Sequence, residues 1–157
     1  MPGTTRLCIS RRTGRPLIHR IRKAHVMIPD KARDFLMQPH IARLSTNGDD
    51  GYPHTVPLWY MLDGDDLVVM TNRDSVKVQN ALRDPKGAIT IGGEPAQKQG
   101  WLFRGDFEIA TDEGHAWARR ITYHYEPQDE AEKMLAEWAN DDIVTMRLKV
   151  KDVIRVF

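Results

Sequence analysis

A chain of 157 residues, 41% apolar and 29% charged, has the makeup of one globular domain, and its single cysteine, Cys8, excludes an internal disulfide and a cysteine zinc site. No apolar run approaches the roughly 20 residues that span a bilayer, so the expectation is a cytoplasmic protein with no membrane partner. The net charge of +1 hides an asymmetry, because residues 1–25 hold Arg and Lys without one acid and leave the remainder acidic, which argues against a nucleic-acid module.

Residues 1–26 therefore read as a basic arm, expected to be flexible, ahead of a folded domain of residues 27–157. Ile28-Pro29-Asp30 opens a helix with Pro and an acid in its first turn, and Ala32, Phe35 and Leu36 fall on one face before Pro39. Three β-like runs follow: Ile41 to Thr46, Thr55 to Leu62 and Leu67 to Thr71. The gaps between them, Asn47 to Gly51 and Asp63 to Asp66, are loaded with turn formers. Pro57 inside the second run removes one ladder donor, so that run belongs at an edge or a bulge.

Ser75 is then placed to cap a helix through Leu82 that Asp84-Pro85 stops. Helical spacing sets Lys77 and Asn80 on one face and Val78 and Leu82 on another, predicted to pack inward. A helix start beside a lysine attracts anions, because its free N–H groups and positive dipole end add to the ammonium charge. Ala88 to Ile91 reads as a fourth strand, and Trp101 to Ala110 as a fifth with Gly105 where a bulge would want it. Residues 112–139 read as two helical pieces parted near Glu126-Pro127. Ile143 to Val150, extended by Val153 to Val156, closes the chain as a half-buried strand. About six strands in direct succession predict a mainly β antiparallel barrel with flanking helices. The histidines lack ligand spacing and Asp63, Asp65 and Asp66 read as turn residues, so no metal is expected.

The opening helix, the Gly51-Tyr-Pro-His-Thr-Val-Pro-Leu-Trp-Tyr60 arm and the block Met70-Thr-Asn-Arg-Asp-Ser-Val-Lys-Val-Gln-Asn80 together resemble the split β-barrel superfamily of pyridoxamine 5′-phosphate oxidase-like proteins. Within it they are similar to the branch of flavin- and deazaflavin-dependent oxidoreductases. The resemblance implies a six-stranded antiparallel split β-barrel, homodimeric, with a cofactor between the subunits. It also implies that Thr55, Val56, Pro57, Leu58 and Trp59 line the cofactor ring, that Thr71 and Asn72 reach ring or ribityl oxygens, and that Arg73, Ser75 and Lys77 hold the phosphate with Asn80 beside them. Gln99 and Trp101 become candidates for contacts across the dimer. His54 and Tyr60 are the candidate proton donors, and no catalytic acid or base stands out. Pyridoxamine phosphate oxidases proper carry an arginine and a lysine in the strand that here reads Thr55 to Tyr60. Their absence turns the reading from that reaction toward coenzyme F-420 as first choice, with FMN second. The expected activity is hydride transfer to a small organic substrate; a non-enzymatic carrier of flavin, deazaflavin or haem on the same fold is the alternative.

Overall fold

The computed structural model describes residues 26–157, so the predicted basic arm, but for its last residue, lies outside the described residues. Helix α1 (Asp30–Leu36) is followed by strands β1 (Ala42–Asn47), β2 (Pro53–Leu58), β3 (Met61–Asp63) and β4 (Asp66–Asn72). Helix α2 (Val76–Arg83), strands β5 (Lys86–Gly92) and β6 (Gly100–Thr111), helices α3 (Ala116–Tyr125) and α4 (Gln128–Glu137), and strand β7 (Ile143–Arg155) complete the chain. All strand pairs are antiparallel, in the order β2-β1-β5-β6-β7-β4-β3.

The expected six strands are seven, because the run from Thr55 to Leu62 breaks at Trp59-Tyr60 into β2 and β3. These two strands form the opposite edges of the sheet. Three Cα steps of 3.8 Å limit the connection to about 11 Å. Seven strands laid flat at about 4.8 Å spacing would separate the same edges by roughly 29 Å. The sheet must therefore curl until its edges approach at the crossing. It is not a closed barrel, since β2 pairs only with β1, and β3 covers β4 only from Asp66 to Val68. A slit remains, bordered by β2 on one side and by the uncovered edge of β4, residues 69–72, on the other.

The concave face collects the core, with Leu44, Leu67, Val69, Ile89, Ile91, Phe103, Met146 and Leu148 all fully buried. Helix α2 closes the core with Val78 and Ala81, whereas Leu82, predicted to point inward, is 62% exposed. One helical step decides this, since Ala81 lies three residues from Val78 and takes the inward place. On the convex face of β4 and β7, α3 packs Ala118 and Ile121. The buried carboxylate of Asp112 holds the start of α3 by accepting from the N–H groups of Trp117 and Ala118 at 2.9 and 2.8 Å.

Pro57 sits where its missing N–H is harmless, on an edge strand. Gly105 marks the expected bulge: the register between β6 and β7 slips between Arg104 and Gly105. A Cβ on Gly105 would fall 2.1 Å from the carbonyl oxygen of Lys149, so only glycine lets the two backbones approach. Gly105→Ala should destabilise the fold by about 1–3 kcal/mol, read as a lower urea midpoint. An unchanged midpoint would show that the bulge absorbs a side chain.

Candidate functional site

Trp59 and Tyr60, adjacent at the crossing, have different environments. Tyr60 is 1% exposed, and its hydroxyl donates to the carbonyl of Leu36 at 3.0 Å. Burial pushes the phenol far above its usual range, so it stays protonated and occupied. Tyr60 is thereby a pin between the crossing and the end of α1, which removes it as a proton donor to a ligand in the slit. Trp59 is half-buried and stacks on Tyr125 of α3, with ring centroids 5.1 Å apart and planes 11° apart. The Tyr125 hydroxyl, its pKa pushed up to about 12 by burial, donates to the carbonyl of His40 at 2.7 Å and accepts from the N–H of Tyr60 at 3.3 Å. The Trp59 indole is held in place by α3.

Leu58 and Trp59 line a groove of about 260 Å³ with Met70, Met134 and Trp138. A second hollow of about 240 Å³ shares Met70 and Trp138 and continues along Thr71 and Asn72 to Asp141. Thr55 and Pro57 alternate with these residues and stay exposed on the convex face, where the Thr55 hydroxyl meets that of Ser45 at 2.9 Å. Val56, half-buried, pairs with Leu44. His54 stands toward the other end of β2, opposite Thr46.

Beyond β4, Ser75 takes the N-cap position of α2 with extended backbone angles. Its carbonyl accepts from the N–H groups of Val78 and Gln79. No described residue accepts from the N–H groups of Val76 and Lys77, which are the free donors that every helix start leaves. The Ser75 hydroxyl lies 3.4 Å from that of Thr71. Lys77 is half-buried, has no carboxylate partner among the described residues, and has its pKa lowered by that burial. A partly desolvated ammonium beside unpaired N–H groups is suited to an anion.

Three of the expected site positions already have hydrogen-bond partners within the chain. Arg73 donates to Asp142 at 2.7 Å and to Thr111 at 2.8 Å, so its guanidinium braces the ends of β4, β6 and β7 rather than waiting for a phosphate. The groove beside it, about 510 Å³, is also lined by Asp74, Asp141 and Asp142 and is a poor anion site despite its size. Asn80 is 4% exposed and spends its amide on the Thr46 hydroxyl at 3.1 Å, while Arg83 donates to its oxygen, so it ties α2 to β1. Trp101 is buried in the core, and its indole N–H donates to the Gln99 side-chain oxygen at 3.1 Å. Met134 of α4 and Trp138 at its C-cap, not among the expected site residues, also line the groove, and their spacing of four residues was the available signal.

A family model described as pyridoxamine 5′-phosphate oxidase matches residues 28–154. The chain belongs to that family. No curated protein matches the sequence. Among solved structures, an F420 reductase superposes with a TM-score of 0.65 at 21% identity, over 81% of this chain and 98% of that one. A conserved hypothetical protein from Mycobacterium tuberculosis gives 0.64 at 25% identity, over 83% and 84%. The General Stress Protein 26 from Bacillus anthracis gives 0.61 at 17%, over 80% and 91%. The family's fold is thus this curled antiparallel sheet with its flanking helices.

Tyr60→Phe tests the assignment of Tyr60 as a pin. Loss of its buried hydrogen bond should cost about 1–2 kcal/mol of unfolding free energy and leave ligand affinity in the slit unchanged. Undiminished stability with lost ligand affinity would reverse the assignment.

Proposed function

We propose that the chain is a flavin- or deazaflavin-dependent reductase that passes a hydride between its cofactor and a small organic substrate. Coenzyme F-420 is the first choice and FMN the second. The carrying observation is the half-buried ammonium of Lys77, without a carboxylate partner among the described residues, together with the N–H groups at the start of α2 that no described residue accepts from, at the end of a slit with uncovered strand edges. On this reading Ser75, Lys77 and the two N–H groups hold the cofactor phosphate, Thr71 and Asn72 reach its polar atoms, and Leu58 and Trp59 wall the ring. Arg73 and Asn80 act at one remove, by bracing β4 and α2. When bound, the cofactor supplies the two-electron chemistry, while these residues orient it and exclude water. The F420 reductase among the neighbours supports the deazaflavin choice. So does the run from Thr55 to Tyr60, which carries none of the basic residues of oxidases that act on pyridoxamine phosphate.

The working form proposed is a cytoplasmic homodimer, with neither nucleic acid nor membrane as partner. No helix among the described residues is long and apolar enough to cross a membrane. One row across the convex face, Pro57, Arg43, Thr90, Leu102 and Ile154, crosses five strands with every member at least partly exposed, and offers a second copy a broad surface. In that dimer Gln99 would turn its amide N–H groups to the partner's cofactor, while the Trp101 indole holds its side-chain oxygen. A cofactor carrier without turnover is the second reading, favoured by the burial of Tyr60, which takes one proton donor out of the slit. Turnover of reduced cofactor with a panel of acceptors separates the two.

Titration of the purified chain with F-420 and with FMN, read by fluorescence, tests the cofactor assignment. Lys77→Ala should weaken binding about 10- to 100-fold, the value of a charge-assisted hydrogen bond of roughly 1.5–3 kcal/mol. Because burial lowers the Lys77 pKa, the ammonium is lost at lower pH than that of a free lysine. Affinity should accordingly fall as pH rises toward the lysine range, and Lys77→Arg should flatten that fall. If neither cofactor binds the wild-type chain, the proposal is wrong.

A further inference from the structure

The groove formed by Leu58, Trp59, Met70, Met134 and Trp138 takes two of its walls from Met134 of α4 and from Trp138 at its C-cap, residues the cofactor reading does not use. Its lining is two indoles, two thioethers and one leucine, with no charged side chain. Thioether sulfur and indole faces both favour flat conjugated partners. Tyr125 already stacks on Trp59, so the indole is set before any ligand arrives. The volume of about 260 Å³ falls short of the roughly 300–1,000 Å³ of a site that houses a whole drug-sized molecule. It fits a fragment of one or two rings.

The groove lies next to the anion site along β4. Met70 and Thr71 are successive on β4 and so point to opposite faces. Thr71 meets Ser75 and belongs with the anion-holding start of α2, whereas Met70 faces Trp138. The adjoining hollow joins the two, running from Met70 and Trp138 along Thr71 and Asn72 to Asp141, whose carboxylate disfavours an anionic ligand at that end. We infer that the α4 groove is the substrate subsite, and that it receives an uncharged, planar, conjugated ring system of one or two rings beside the cofactor. This rests on the cofactor reading above only for the word substrate; the subsite itself rests on the groove.

The test uses the full chain and 2-naphthol as probe, a neutral fused two-ring molecule at pH 7, with 2-naphthoate as its anionic counterpart. Binding is followed by ligand-observed NMR, with and without saturating cofactor, and cofactor affinity is measured in parallel by fluorescence. Trp138→Ala should weaken 2-naphthol about tenfold, Trp138→Phe should restore most of that loss, and both should leave cofactor affinity within twofold. Met134→Ala, milder in its effect on folding, should weaken the probe by a smaller factor in the same direction, and 2-naphthoate should bind more weakly than 2-naphthol. Probe binding that survives in Trp138→Ala, or a loss of cofactor rather than probe, overturns the subsite. If the wild-type chain binds neither cofactor yet binds 2-naphthol in a Trp138-dependent way, the cofactor reading fails and the aromatic subsite stands. If cofactor binds and 2-naphthol does not, the subsite fails alone.

Discussion

A two-residue crossing carries the architecture. Because Trp59 and Tyr60 alone join the two edge strands of a seven-stranded sheet, the sheet has to curl, and everything placed on it inherits that curvature. The crossing is held by hydrogen bonds rather than by ladder pairing. The Tyr60 hydroxyl reaches the end of α1, the Tyr60 N–H reaches Tyr125, and the Tyr125 hydroxyl reaches His40. Buried bonds of this kind matter less for the free energy of each than for the cost of leaving a partner unsatisfied, which makes the arrangement cooperative. The His40 ring adds to the same anchor by stacking on Phe35 at 4.1 Å, and burial lowers its pKa and so favours the neutral imidazole.

Polar groups near the slit divide into those already satisfied and those still free. Arg73, Asn80 and Gln99 each have a partner at hydrogen-bond distance, and each partner joins elements distant in sequence or closes a local pair. Lys77 and the N–H groups at the start of α2 have none among the described residues. A charge that folding has half removed from water without supplying a counter-charge is a small local deficit of stability, and an incoming anion recovers it. The same distinction explains why the groove beside Arg73 is a poor anion site. Its only cation is committed to Asp142, and carboxylates dominate what remains.

Much of the fold was legible in residues whose backbone chemistry admits few alternatives. Pro57 announced an edge strand, Gly105 a bulge, Ser75 a helix start, and Pro127 the break between two helices. The break at Trp59-Tyr60 was not legible, because no turn former interrupts the apolar run from Leu58 to Leu62; the bend is imposed by tertiary contacts to α1 and α3. The site was legible in its sequence blocks and less so in its side chains. Which face of α2 Asn80 occupies, or whether Trp101 looks into the core, depends on the angle at which an element is seated, and periodicity does not supply that angle. The α4 wall escaped for a related reason, since a Met and a Trp spaced four apart look alike whether they meet a core or a groove.

The adjacency of Trp59 and Tyr60 has a consequence for how such a protein changes over generations. One residue of the pair is locked into the interior and the other borders the groove, so demands that usually conflict at a binding site are assigned to neighbouring positions. On the proposed reading, replacement at Trp59 and on the exposed flank of α4 would alter what is received while Tyr60 keeps the curl intact. A scaffold built this way is free to diverge in selectivity along one short stretch of chain without renegotiating its shape.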